Sequence, residues 1–148
     1  MSGGLESLYQ QIILDHAKER HGYGLHDGAA AESHQINPTC GDEVTLQLHF
    51  SEDGEHLSSI AWEGHGCSIS QASTSCLSDL GPGLTVAELS ALADEFREVI
   101  RSRGKLEFDE ERFGDAAALS GVSKYIARVK CAMLPWVAAE EAVLRLTA

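Results

Sequence analysis

A strict two-residue alternation sets the terms for the rest of the chain. Val44, Leu46, Leu48 and Phe50 alternate with Thr45, Gln47 and His49, the period of a strand with one buried and one wet face. Residues 52–55 read Glu-Asp-Gly-Glu, and Asp53-Gly54 is a favoured pair for a tight hairpin turn. A second strand follows from about Leu57 to Trp62. Two antiparallel strands are marginal alone, so the hairpin needs a third strand or a helical cover. Residues 23–36 are the available third strand, although glycines at 22, 24 and 28 and three alanines at 29–31 also describe a loose loop.

Helical patterns supply the cover. In residues 5–20, Leu5, Leu8, Tyr9, Ile12, Ile13 and His16 fall on one face, with Glu6, Gln10, Lys18 and Glu19 opposite. A second helix spans about 69–80 and stops at Gly81-Pro82-Gly83. Thr85 and Glu88 form a capping box for a third, carrying Leu89, Leu92, Phe96, Val99 and Ile100 on one face, with Gly104 as its stop. Residues 105–114 read as a charged loop and 115–120 as a short helix. The terminal helix contains Trp136, Val137, Ala139, Val143, Leu144 and Leu146. Pro135 is tolerated only near a helix start, which puts Cys131 at or just before the entrance.

At 148 residues the chain is expected to be one domain, 1–148, able to bury about two-thirds of its unfolded surface. Its 23 acidic and 11 basic side chains give a formal net charge of −12. Such a surface repels phosphate backbones and anionic lipid, so no nucleic acid or membrane partner is expected. No apolar run approaches 18 residues and no basic-then-apolar leader opens the chain, which makes a cytoplasmic protein with reduced cysteines the expectation.

Chemistry concentrates at residues 37–42, Asn-Pro-Thr-Cys-Gly-Asp. Cys40 and Asp42 are two residues apart, hence on one face of an extended segment, and Gly41 can take a positive φ that pinches them together. A thiolate beside a carboxylate is half of a zinc site, although an ordinary Gly-Asp turn has the same residues. Cys67 stands at the entrance of the helix over 69–80, where free N–H groups and the dipole favour a thiolate. Cys76, nine residues on at about 100° per residue, points to the opposite side, as a small core side chain would. Lys124, Arg128 and Lys130 make a basic edge near Cys131 that reads equally as a solvated face or a functional one. His21, His26 and His34 read as solvated loop histidines, and His65 as a rim residue.

Spacing alone does not select a ligand set from seven histidines and 23 acids. The runs 8–16 (LYQQIILDH), 37–42 (NPTCGD), 66–73 (GCSISQAS), 121–125 (GVSKY) and 127–132 (ARVKCA) do resemble, in order, the SufU branch of the IscU/NifU-like iron–sulfur assembly proteins. Scaffold members of that family carry a histidine immediately before the last cysteine, where this chain has Lys130. SufU-like chains also carry an extra segment like 81–120 here. Ile126 stands where the family commonly has proline, and Pro135 where the last helix usually has alanine.

The resemblance implies an α+β fold, a three-stranded antiparallel sheet covered on one face by about five or six helices. It implies zinc held by Cys40, Asp42, Cys67 and Cys131 at an exposed end. The implied activity is sulfur transfer: Cys40 accepts persulfide sulfur from a SufS-type PLP-dependent cysteine desulfurase, whose histidine displaces it from zinc. The sulfur then moves towards a SufBCD-type scaffold. Three other readings stay open on the residues alone. The same thiols could hold an iron–sulfur cluster, the zinc could be purely structural, or Cys40 could pair with His34 or His65 as a hydrolytic nucleophile.

Overall fold

A computed structural model describes residues 2–146, with side chains from residue 7 onward. The order is α1 (Ser2–Glu19), β1 (Ala31–Asn37), β2 (Asp42–Phe50), β3 (Leu57–His65), α2 (Ser68–Leu80), α3 (Val86–Ile100), α4 (Glu110–Phe113), a 3-10 segment (Gly114–Lys124) and α5 (Ile126–Leu146). The strands form one antiparallel sheet in the order β1-β2-β3. The alternation over 44–50 puts Val44, Leu46 and Leu48 under the helices as expected, but the other face is not wet along its length, since Gln47 and His49 are buried too. The third strand comes from residues 31–37, and its register sets Asn37 opposite Asp42.

Helices α5 and α2 lie on the sheet, α1 packs along α2, and α3 packs on α5. Phe96 stacks on Trp136 with ring centroids 4.3 Å apart, and Phe108 and Phe113 join that cluster. These two phenylalanines anchor the charged 105–114 stretch, which is otherwise loop and the short α4. The capping box forms as the sequence predicts, with both Thr85–Glu88 bonds made. Helix α3 ends at Ile100 rather than at Gly104. Ser102 Oγ donates to Val99 O at 2.7 Å there, and the chain turns away through Arg103 and Gly104 at positive φ.

The 20–30 segment is ordered by what it crosses. Gly24 N donates to Trp62 O at 2.7 Å and Trp62 N to Gly22 O at 3.2 Å, so this segment covers the free edge of β3. It then passes over the sheet face opposite the helices, where His26 stacks on His49 at 3.8 Å between centroids.

Two expectations are corrected. In α1, Ile13 and His16 face inward, but Leu8 is 56% exposed, so the apolar stripe is narrower than the sequence pattern. Helix α5 begins at Ile126, and Pro135 lies inside it. Cys131 is therefore in the second turn of the helix, not at its entrance, and is buried. Pro135 has no N–H, so the carbonyl one turn earlier, that of Cys131, lacks its usual helical donor. The adjacent carbonyl of Ala132 accepts from Ser73 Oγ of α2 at 2.6 Å, and Trp136 Nε1 donates to the same hydroxyl at 3.1 Å. Packing against α2 holds together a helix that its own sequence would interrupt.

Candidate metal centre

The tight turn between β1 and β2 is built by backbone chemistry. Gly41 has φ +74°, a conformation a residue with a Cβ rarely adopts, and Cys40 N and Gly41 N donate to Asn37 O at 3.3 and 2.9 Å. This turn leaves Cys40 exposed at its tip while Asp42, the first residue of β2, is fully buried. Cys131 of α5 reaches the same place from below. The ligand atoms of Cys40, Asp42 and Cys131 lie within 4.8 Å of one another.

Cys67 joins through its backbone and, more loosely, through its thiol, which interacts with Asp42 and Cys131. It is the N-cap residue of α2, and its N–H donates to Asp42 Oδ1 at 2.9 Å. The carboxylate thereby sits on the N-terminal end of α2, where a negative charge is favoured. Among the described residues, the Cys67 sulfur falls outside the 4.8 Å group, 4.0 Å from Ser70 Oγ. The structure therefore brings together three of the four side chains that the resemblance singles out, with the fourth at their margin.

Two polar residues that sequence reasoning passed over complete the surroundings. Ser70 Oγ donates to Asp42 Oδ1 at 3.3 Å and to Cys67 O at 3.0 Å. Asn37 Nδ2 points at Asp42 Oδ2 at 3.5 Å and at Cys131 Sγ at 4.0 Å. Neither carries a spacing signal, since each acts through a partner set by the fold. Gly66 is required for space: a Cβ there would stand 2.4 Å from Asp42 Oδ1 and 2.6 Å from Ser70 Oγ.

Burial pushes the Asp42 carboxyl up, but hydrogen bonds from the Cys131 thiol, the Cys67 N–H and the Ser70 hydroxyl outweigh it and hold it below the ordinary value. Cys131 moves the other way. Burial, then hydrogen bonding with Asp42, Cys40 and Cys67, raises its thiol far above the usual cysteine range. A buried carboxylate thus stays ionised beside the Cys131 thiol, whose ionisation calls for a cation. Zinc–sulfur bonds of about 2.3 Å in a tetrahedron put donor atoms about 3.8 Å apart, the scale of this cluster. The donor set fits a divalent ion of the zinc class.

The remaining candidates fall elsewhere. Cys76 is buried in the core, as expected. His34 and His65 both engage Glu43, at 2.6 and 3.2 Å, on a side chain that alternates away from Asp42. Neither imidazole bonds Cys40 among the described residues, so the hydrolytic pairing gains no geometric support. Lys124, Arg128 and Lys130 are exposed, and among the described residues none has a carboxylate partner within 4.0 Å. Of the three histidines read as loop residues, His21 is half-buried between two acids, His26 is exposed and stacked on His49, and His34 is exposed on β1 and paired with Glu43.

Comparison with known proteins places this geometry. A family model described as the NifU-like N-terminal domain matches residues 8–132. The chain is 40% identical over 142 residues to a protein of Streptococcus pyogenes serotype M1 named iron–sulfur cluster assembly scaffold protein IscU, covering 95% of this chain and 86% of that one. It is 37% identical over 145 residues to the zinc-dependent sulfurtransferase SufU of Bacillus subtilis (strain 168), covering 97% and 95%. A crystal structure from Fervidobacterium islandicum AW-1, titled as a putative iron–sulfur cluster assembly scaffold protein for the SUF system, superposes with a TM-score of 0.72 at 34% identity, covering 90% and 94%. Cys40, Asp42, Cys67 and Cys131 all lie within the matched span, and the chain belongs to the NifU-like N-terminal domain family, the family of IscU and SufU.

Proposed function

We propose that this protein is a cytoplasmic zinc-dependent sulfurtransferase of the SUF type. Cys40 accepts sulfur from the persulfide of a SufS-type PLP-dependent cysteine desulfurase and relays it to a SufBCD-type scaffold for iron–sulfur cluster assembly. The carrying observation is that Cys40 is exposed at a turn tip while its neighbours Asp42 and Cys131 are buried. One thiol is placed to meet a partner and the others to stay.

Bound zinc keeps the surrounding thiols ionised at neutral pH and offsets their charge. The chain does the rest. Asp42, fixed by Cys67 N–H and Ser70, does not move with Cys40, because Gly41 separates them with its permissive backbone. The Cys40 thiolate attacks the outer sulfur of the donor persulfide. A new S–S bond forms on Cys40, the donor S–S bond breaks, and the donor cysteine leaves as a thiolate with no net change in oxidation state. Ile36, Tyr125 and Ile126 are exposed on segments leading to Asn37 and Cys131, and with Arg128 and Lys130 they form an apolar and basic rim for the desulfurase.

A scaffold reading, with a transient cluster on the same cysteines, is favoured by the name of the 40%-identical relative. Lys130 weighs against it, since it stands next to Cys131 where scaffold members carry a histidine that could serve as a ligand. The test is metal analysis of anaerobically purified protein together with desulfurase turnover in its presence. Sulfur transfer predicts one zinc per chain and stimulation that disappears in Cys40→Ala. A coloured, iron-bearing protein, or full stimulation by Cys40→Ala, overturns the proposal.

A further inference from the structure

The two ends of α2 carry two different sets of metal-binding atoms. Cys67 caps its beginning, and Asp79 lies in its last turn, twelve residues and about 18 Å further on. Around Asp79 gather His16, from the last turn of α1, and His21, just past the end of that helix. One ligand atom from each of His16, His21 and Asp79 lies within 4.8 Å of the other two.

Both imidazoles are oriented in the same way. His16 Nε2 is 2.9 Å from Asp115 Oδ2, and its Nδ1 is 2.7 Å from Ser75 Oγ. His21 Nε2 is 2.9 Å from Glu19 Oε1, and its Nδ1 is 2.7 Å from Asp79 Oδ2. In each ring Nε2 faces an outer carboxylate, while Nδ1 faces Ser75 in His16 and Asp79 in His21. Carboxylates hold metal-binding histidines in this manner, fixing the tautomer and raising the basicity of the free nitrogen.

Three further features favour a cation. Helices α1 and α2 both end here, so the negative ends of two helix dipoles converge. Among the described residues, Glu19, Asp79 and Asp115 have no lysine or arginine partner within 4.0 Å. His16 is buried, while the side chains of His21 and Asp79 are 38% and 48% exposed, which gives an ion an approach from solvent.

We infer that His16, His21 and Asp79 form a second metal site, for a first-row divalent ion such as Zn²⁺, that pins the end of α1 to the end of α2. Binding replaces the proton shared between His21 Nδ1 and Asp79 Oδ2, which leaves to solvent, and water fills the remaining position. Two imidazoles, one carboxylate and water are a common donor set for zinc. The site is independent of the thiol cluster and does not rest on the proposed sulfur transfer.

The probe is Co²⁺, titrated into the full metal-stripped chain, with bound equivalents read by dialysis and thiolate-to-cobalt charge transfer read by absorbance. The wild type is expected to bind two equivalents, only one of them with charge transfer. His21→Ala and Asp79→Asn, both at half-exposed positions, are each expected to bind one, with charge transfer unchanged and the fold intact by circular dichroism. Only one equivalent in the wild type, or two in both variants, overturns the inference. Loss of charge transfer with a His21-dependent equivalent retained would instead count against the thiol cluster and leave this site standing.

Discussion

The backbone N–H of Cys67 donates to Asp42 Oδ1 at 2.9 Å, across 25 residues of sequence. This bond ties the first residue of β2 to the cap of α2, so one carboxylate serves two purposes. It satisfies a free amide at a helix start and supplies a charged oxygen to the thiol cluster. The two roles separate by mutation.

Asp42→Ala leaves the Cys67 amide without its acceptor, at a cost of about 1–3 kcal/mol in the metal-free protein. Asp42→Asn keeps an oxygen in place and is expected to recover most of that stability. Neither variant is expected to retain zinc through dialysis. Chemical denaturation reads the first effect and metal analysis the second, and zinc kept at wild-type level by both would remove Asp42 from the site.

Gly66→Ala tests the close approach above the carboxylate. The added methyl meets Asp42 Oδ1 and Ser70 Oγ inside contact distance, so the β3–α2 connection has to shift. A destabilisation of about 1–3 kcal/mol is expected, together with weakened metal retention. A variant with unchanged denaturation midpoint and zinc content would show that the connection yields freely.

Thiol labelling of chelator-treated protein should follow exposure. Cys40 is expected to react with iodoacetamide first and Cys67 next, while Cys131 and Cys76 lag far behind, since both are buried and burial raises both thiols. Restoring one equivalent of zinc should slow Cys40 and leave Cys76 as it was. Mass spectrometry of tryptic peptides gives the order. Early labelling of Cys131 would contradict its position inside α5.

Acid should weaken the fold through His49. Burial, and then the stacked His26, hold its imidazole below the ordinary value of about 6.5. The unfolded chain therefore binds more protons than the folded one as pH falls through that range, and stability drops as pH drops. His49→Gln is expected to flatten the pH dependence of the melting temperature below about pH 6.5. An unchanged slope would mean the pair is not the group that titrates.

Read one segment at a time, the chain declares its strands, its capping box and the thiol at the start of α2. Each of these rests on neighbours within a few residues: the alternation over 44–50, Thr85 with Glu88, and Gly81-Pro82-Gly83 closing α2. The third strand was harder to read, because 31–37 gains its order from pairing with β2 rather than from its own pattern. The cluster of Cys40, Asp42 and Cys131 was named through family likeness, and no local rule joins residues so far apart.

Sequence alone thus determined the elements and the residue types available for chemistry, since those follow from periodicity and local backbone preference. Tertiary structure decided where they meet. It carried α5 through Pro135, with Ser73 of α2 bonding the carbonyl next to Cys131, and so moved that thiol from a helix entrance to a buried second turn. It also set Asn37 and Ser70 on Asp42, and His16 and His21 on Asp79. The physical reason is range: a side-chain bond between segments tens of residues apart depends on how helices and sheet pack, and no spacing in the chain encodes it.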